Sequence, residues 1–299
     1  MMDMYNRALF IYNQTAGQAD TEKALAAVLP VISVHVKQLE VIQTEREGEA
    51  IELCREWGEK ADLIIILGGD GTVHEAINGV AELDKRPVLG ILPGGTCNDF
   101  SRMLSMPQNL AKAAKSLMEG KTQLLDVGKV NNHYFLNFWG VGLVAATSTN
   151  IDDTQKKVIG KLSYFLSALK TVQMTEPFRY TLRGDDHELE GEAVMILVMN
   201  GRYIGTNSIP FPNMKVDDGL FDVLIVKDSS FGAFIEVFNL EELPPNEKEA
   251  QGNLQHFQTS SLSVKTTPVL AADTDGEIYS ETPAELTVLH KHIEMIVGA

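Results

Sequence analysis

The chain has 299 residues, about twice the ~150 of one ordinary soluble domain, so two domains in tandem is the starting expectation. Apolar residues make up 44% and charged residues 22%, a globular composition that argues against disordered, collagen-like and disulfide-stapled classes. Lys plus Arg number 25 against 41 Asp plus Glu, a net charge of −16, which works against an extended phosphate-backbone partner and so against a nucleic-acid scaffold.

Cys54 and Cys97 are the two cysteines, too few for a disulfide framework and not in a metal-ligand spacing, so both read as buried thiols of a reducing compartment. The segment before Asn13 is too short and wrongly flanked for a signal peptide. The longest clean apolar runs, Leu63 to Leu67 and Ala193 to Met199, fall far below the ~20 residues of a membrane span. The expectation is a cytoplasmic protein. Asn13-Gln14-Thr15 fits the N-glycosylation pattern, which carries no chemistry without secretion.

From the N-terminus, Ala8 to Tyr12, Val31 to Ile42, Leu63 to Leu67 and Val88 to Leu92 are β-rich runs separated by amphipathic stretches, a pattern of alternating strands and helices. Leu63-Ile64-Ile65-Ile66-Leu67 is apolar on both faces, as in a parallel strand covered by helices on each side. After it, Val73, Ala76, Ile77 and Val80 recur at helical spacing and bury one face. Beyond about residue 125, strand-like runs dominate: Phe135 to Val144, Phe178 to Leu182, Glu188 to Met199, Leu220 to Val226, Leu262 to Thr266 and Leu286 to Leu289. Two helical segments, Lys156 to Val172 and Phe231 to Leu243, interrupt them, and Glu241 to Glu249 reads as a solvated loop. The fold class expected is α/β, an N-terminal doubly wound parallel-sheet domain followed by a mainly antiparallel β domain.

The sharpest local signal is Gly68-Gly69-Asp70-Gly71-Thr72, between a buried strand and an amphipathic helix. There the glycines let backbone N–H groups approach a polyphosphate at the carboxyl edge of the sheet. The loop lacks a Walker lysine and presents an acid, Asp70, which implies an intervening magnesium ion. The same residues also suit a tight turn with Asp70 capping the helix. A second loop, Pro93-Gly94-Gly95-Thr96-Cys97-Asn98-Asp99-Phe100, follows the next strand. Adjacent parallel strands place their loops side by side, so Thr72, Thr96 and Asn98 line one crevice with the glycines. Asn13-Gln14-Thr15-Ala16-Gly17 after the first strand is a third candidate.

In the second half, Thr274-Asp275-Gly276-Glu277 offers two closely spaced carboxylates that could divide acid–base labour, with Asp273 one step before, and equally suits a β-turn. A calcium EF-hand is rejected: with Gly276 at its sixth position, Ala271 and Thr282 fall where carboxylates are required. Lys215 to Leu220 contains a second Asp-Gly that suits a hard cation or a plain hairpin. His74, just past the first glycine loop, could touch phosphate but reads first as solvated on a helix face, and Trp139 and Tyr164 read as core or interface rather than ligand stackers. Lys156, Lys157 and Lys161 form a charged helix face or a small membrane-facing patch.

Taken in order, Asn13 to Gly17, Thr44 with Gly48 and Ala50, Gly68 to Thr72, Gly94 to Phe100, Asp126-Val127-Gly128 with Phe135-Leu136-Asn137, Lys215 to Leu220 and Asp275-Gly276-Glu277 resemble the bacterial soluble diacylglycerol kinases. This lipid-kinase family is related to eukaryotic diacylglycerol and sphingosine kinases, and the resemblance covers nearly the whole chain. It implies a nucleotide-binding domain over 1–128 plus a returning C-terminal strand about 290–299, and a lipid-substrate domain over 129–289, with ATP in the cleft between them.

The resemblance assigns ATP contacts to Asn13, Gln14, Thr15, Ala16, Gly17, Thr44, Gly68, Gly69, Asp70, Gly71, Thr72, Thr96 and Asn98. It assigns the proton acceptor to Asp275 or Glu277, catalysis also to Asp70, and a structural Mg2+ site to Asp218 with main-chain oxygens of Lys215 and Leu220. It further implies transient peripheral contact with a membrane that supplies the lipid, and a homodimer. The first loop departs from the family in lacking a proline after its asparagine, and Gly205-Thr206-Asn207-Ser208 replaces a more glycine-rich run. A kinase for another lipid, for a soluble acceptor such as NAD, and a non-catalytic lipid or nucleotide carrier are the other classes open.

Overall fold

The computed structural model describes residues 5–13, 18–142, 145, 176–208, 214–227 and 254–298. The chain divides into two compact units, Met1–Leu125 with Lys291–Ala299, and Asp126–His290.

The first unit runs β1 (Tyr5–Asn13), α1 (Gln18–Ile32), β2 (Val36–Thr44), α2 (Glu49–Trp57), β3 (Leu63–Gly68), α3 (Asp70–Val80), β4 (Val88–Pro93), α4 (Asp99–Met103) and α5 (Leu110–Glu119). Its strands are parallel in the order β2-β1-β3-β4. Every residue of β3 is buried, and Ala8 to Ile11 of β1 are fully so, the expected state of strands covered on both faces. Right-handed crossovers put α1 on one face and α2 and α3 on the other, because β1 to β2 and β2 to β3 run in opposite directions along the sheet. In keeping with this, α1 packs with α5 and α2 with α3. The run Val31 to Ile42 is not one strand. Val28 and Ile32 bury one stripe of α1 completely, so its first residues finish a helix, and β2 begins only at Val36.

β5 (Lys121–Val130) carries the chain onward to β6 (His133–Phe135), β7 (Phe138–Gly142), β8 (Phe178–Gly184), β9 (Glu188–Ala193) and β10 (Met195–Met199). Then come the short pair β11 (Tyr203–Ile204) and β12 (Asn207–Ser208), β13 (Phe221–Val226), β14 (Leu254–Thr259), β15 (Ser261–Thr267), β16 (Ala271–Thr274), β17 (Glu277–Glu281) and β18 (Ala284–Val297). In the second unit β14-β13-β10-β7-β16-β17 form an antiparallel sheet, and the first part of β18 pairs with β15, which continues to β8 and β9. Trp139, Val141, Ile196, Val198 and Phe221 from the first of these sheets pack with Phe178, Leu182, Leu262 and Val264 from the other in one buried cluster. This is a β-sandwich core. The end of β18 pairs in parallel with β4, Met295 opposite Leu89. The molecule is thus α/β with a parallel N-terminal sheet and a second, antiparallel β part.

The single run Glu188 to Met199 is two strands that meet at Val194, whose N–H bonds the Val226 carbonyl. β5, β11, β12, β14 and β17 have no counterpart among the strand runs legible in the sequence. The helical segments Lys156 to Val172 and Phe231 to Leu243, the lysine cluster at 156–161, Tyr164 and the loop Glu241 to Glu249 lie outside the described residues. Among the described residues no helix is long and apolar enough to cross a membrane.

Candidate active site

The strand order of the first unit fixes where a ligand crevice opens. Connections leave β1 toward β2 on one side and return to β3 on the other, so the sheet has its switch point at the carboxyl ends of β1 and β3, where open α/β sheets bind ligands. Asn13 ends β1, exposed, opposite Thr44 at the end of β2. Thr44 itself is buried and donates Oγ1 to the Tyr12 carbonyl at 3.4 Å, so it ties the two strand ends together. Gln14, Thr15, Ala16 and Gly17 lie outside the described residues.

The two glycine loops pack backbone against backbone. Gly94 N–H donates to the Gly68 carbonyl at 2.9 Å, continuing the β3–β4 ladder beyond the strands. A Cβ built on Gly69 would lie 3.1 Å from Gly95 Cα, and one on Gly95 would overlap Gly69 Cα outright. Only glycine permits this approach. Gly71, Gly94, Gly95 and Thr96 are exposed, and Thr72 is part-buried above Gly68. The result is a ridge of side-chain-free backbone that a phosphate can approach closely.

Asp70 is the first residue of α3. Gly69 is the N-cap residue of α3 and makes no side-chain cap bond, while Asp70 Oδ1 accepts from Phe100 N–H of the second loop at 3.4 Å. Asn98 adopts the left-handed region, φ 53°, where asparagine is tolerated. Its Oδ1 accepts from Gly95 N–H at 2.8 Å, and its Nδ2 donates to the Gly95 carbonyl at 2.9 Å and to Gln108 Oε1 at 3.3 Å. Both ends of the amide therefore hold the loop in shape rather than face the crevice.

Three supporting residues escaped the sequence reading. Gln108 also donates to Ser101 Oγ and the Met106 carbonyl. Glu75 accepts from Gly48 and Ala50 N–H at 3.0 and 3.1 Å, which pins the start of α2 to α3. Arg102 donates Nε to the Cys97 carbonyl at 2.9 Å. His74, read as solvated, is buried with Nε2 3.3 Å from Asn78 Nδ2. Cys97, read as buried, is part-exposed, whereas Cys54 is fully buried.

In the second unit, Asp275 and Gly276 are the two residues joining β16 to β17, with φ 54° and 92°. Positive φ at both is the signature of a type I′ hairpin turn. The turn is anchored from far along the chain. Asp275 Oδ2 accepts from Leu136 N–H at 2.9 Å, and Oδ1 accepts from Asn137 and Phe138 N–H at 2.8 and 3.0 Å. Asp273, fully interior, accepts from Gly276 N–H at 2.6 Å. Glu277, part-buried, stands opposite Thr274 at the mouth of the hairpin. Asp275 is thus enclosed by three peptide donors at the turn itself.

Asp218 Oδ1 accepts from Leu220 N–H at 3.1 Å in a turn of its own loop. Burial pushes its carboxyl up, opposed by that hydrogen bond, with the charges of Asp222 and Asp126 adding to the rise and Lys215 opposing it. Asp126, almost wholly interior, accepts from Gly219 N–H at 2.7 Å and lies 3.0 Å from His290 Nδ1. Asp222 is 2.7 Å from His256 Nε2. Among the described residues no group of three or more His, Cys, Asp or Glu is arranged to hold a metal. A hard divalent cation bound beside Asp218 would need peptide oxygens in addition to that one carboxylate. The neighbouring carboxylates supply the negative field that such an ion would neutralise.

Residues 7–130 match the family described as "Diacylglycerol kinase catalytic domain", and residues 139–297 match the "YegS C-terminal NAD kinase beta sandwich-like domain". A protein of Staphylococcus aureus strain JH9 named "Putative lipid kinase" is 34% identical over 99% of this chain and 98% of its own length. Among solved structures, "a putative diacylglycerol kinase" from Bacillus anthracis strain Sterne superposes with TM-score 0.89 at 40% identity, covering 98% of this chain and 97% of the other. A second solved structure, also described as a putative diacylglycerol kinase from that strain, gives 0.88 at 38% identity over 98% of each chain.

Proposed function

Because the chain belongs to the family of lipid kinases that join a diacylglycerol kinase catalytic domain to a β-sandwich, we propose that it moves the γ-phosphoryl group of ATP to the primary hydroxyl of diacylglycerol, giving phosphatidic acid and ADP. The observation that carries this reading is the backbone-to-backbone pairing of the two glycine loops at the switch point of the parallel sheet. Phosphoryl transfer asks a protein for alignment and charge neutralisation more than for covalent chemistry. Peptide N–H groups of Gly71 and Thr96 bind phosphate oxygens, while those of Gly94 and Gly95 are spent on the Gly68 carbonyl and Asn98 Oδ1 and, with Gln108, keep that surface from collapsing.

The lipid oxygen forms a new bond to the γ-phosphorus as the bond to the β,γ-bridging oxygen breaks, and the hydroxyl proton passes to a carboxylate. Glu277 is that acceptor. Asp275, whose two oxygens already accept three peptide N–H groups, holds the turn that positions Glu277. Magnesium, when bound, supplies neutralisation of phosphate charge. Asp70 is the carboxylate at the glycine loops suited to hold it there, and Asp218 with the Lys215 and Leu220 peptide oxygens is suited to a structural ion. An acceptor dissolved in a bilayer requires the protein to visit the membrane surface, and the net charge of −16 makes such contact brief on anionic lipid.

The sandwich's likeness to NAD kinase gives a second acceptor to weigh, a water-soluble one. The test is transfer from γ-labelled ATP with magnesium to a panel of micellar diacylglycerol, phosphatidylglycerol, ceramide and soluble NAD. Label in phosphatidic acid supports the reading. Label in NAD with none in lipid overturns it.

A further inference from the structure

The nucleotide site proposed above has a charge problem that one residue is placed to solve. A triphosphate brings several negative charges to loops that already carry the part-buried Asp70 and the buried Asp99. Yet from Gly68 to Val80 and from Pro93 to Met103 the sequence contains a single Lys or Arg, which is Arg102. It stands four residues after Asn98 and is part-buried. Its Nε donates to the Cys97 carbonyl, in the same loop as the exposed Gly94, Gly95 and Thr96. That bond fixes the plane of the guanidinium and leaves its two terminal amino groups as a preorganised fork, without a carboxylate partner among the described residues.

Other arginines here are satisfied differently. Arg46 pairs with Glu52 and Arg183 with Glu188, Arg7 lies over the Trp57 ring, and Arg86 donates to two carbonyls. In a chain where acids outnumber bases 41 to 25, a part-buried arginine that no carboxylate meets among the described residues is a cation suited to an anion. A planar fork suits phosphate oxygens bidentately.

We propose that Arg102 is a phosphate ligand of the nucleotide, supplying at the second glycine loop the positive charge that a Walker lysine supplies elsewhere. This rests on the reading of the glycine loops as a nucleotide site. The test is calorimetric titration of the full chain with magnesium and ATP, ADP, AMP or adenosine, for wild type, Arg102→Gln and Arg102→Lys.

If Arg102 grips phosphate, Arg102→Gln weakens ATP about 10- to 100-fold, ADP and AMP by less, and adenosine not at all. Arg102→Lys recovers part of the loss, and thermal midpoints stay within about 2 °C of wild type. Equal loss for ATP and adenosine would make Arg102 a structural brace of the Cys97 loop, and undiminished ATP binding in both variants would remove it from the site; either result overturns the proposal. A wild-type chain that binds no ATP overturns the nucleotide-site reading and Arg102's role together.

Discussion

Asp275→Asn and Glu277→Gln are sterically matched substitutions whose consequences should diverge. The Asp275 carboxylate satisfies three peptide donors, two on Oδ1 and one on Oδ2. Asparagine has one acceptor oxygen. Placed at the Oδ1 position it keeps Asn137 and Phe138 N–H, but its amino group then faces Leu136 N–H, donor against donor, and the charge that strengthened all three bonds is gone. The backbone does not object, because asparagine tolerates the left-handed conformation as readily as aspartate. An orphaned buried donor costs ~1–3 kcal/mol, so we expect a loss of about 2 kcal/mol, a fall of about 4–8 °C in the unfolding midpoint for a unit of this size.

Glu277→Gln keeps the side chain's size and an acceptor oxygen, so stability should change by no more than about 0.5 kcal/mol. Removing a positioned base lowers turnover by ~10²- to 10⁴-fold. Thermal unfolding and label transfer, measured on both variants, check this. An Asp275→Asn protein as stable as wild type would refute the anchoring argument.

Three other outcomes follow from the geometry. Gly95→Ala would drive a methyl group into Gly69 Cα and toward Asn98 Oδ1. The loops must then part, and calorimetry should show ATP binding at least about 10-fold weaker, with a stability cost of about 1–3 kcal/mol. Burial, reinforced by Asp222 and Asp126, raises the Asp218 carboxyl above its unfolded value. The folded state therefore holds this proton more tightly, and its stabilising share is lost as pH rises from the unfolded value through the folded one. Asp218→Asn should flatten the acid-range pH dependence of the urea midpoint, raise stability at neutral pH without divalent ions, and abolish stabilisation by added Mg2+. Burial, with the charge of Glu75 second, pushes the Cys54 thiol up to about 12. At pH 8 a thiol reagent should therefore label Cys97 within minutes and Cys54 only on unfolding; equal labelling in the native state would contradict the packing of α2 on α3.

The parts of the fold legible in the sequence are those where one physical demand dominates. Leu63 to Leu67 is a strand buried on both faces, and an uninterrupted apolar run can serve little else between turn residues. Glycine pairs after two consecutive strands mark a close backbone approach, and the contacts of Gly69 with Gly95 are of that kind. Val31 and Ile32 misled because β-branched residues bury as well in the last turn of a helix as in a strand, and tertiary burial decides. β14 and β5 went unread since their apolar residues are interleaved with Gln, Lys and Gly, a pattern too weak without the partner strands.

Within the candidate site, side-chain identities were legible and allegiances were not. Nothing local tells that Asp275 answers to Leu136, Asn137 and Phe138 at the bend between β6 and β7, or that Glu75 reaches back to Gly48 and Ala50. Asn98 looked like a ligand because amides suit phosphate and ribose, but its left-handed backbone turns the amide onto its own loop. Arg102 was passed over because a single arginine in a helix ordinarily faces solvent, and only its bond to the Cys97 carbonyl shows it tied to the loop.

The most direct test is a paired measurement on wild type and Glu277→Gln: calorimetric affinity for ATP with magnesium, and transfer of the γ-label to micellar diacylglycerol. The account predicts equal ATP affinities, label in phosphatidic acid for the wild-type protein, and a rate about 10²- to 10⁴-fold lower for the variant. Undiminished transfer by Glu277→Gln, or ATP bound by both proteins with no label reaching any lipid hydroxyl, would contradict it.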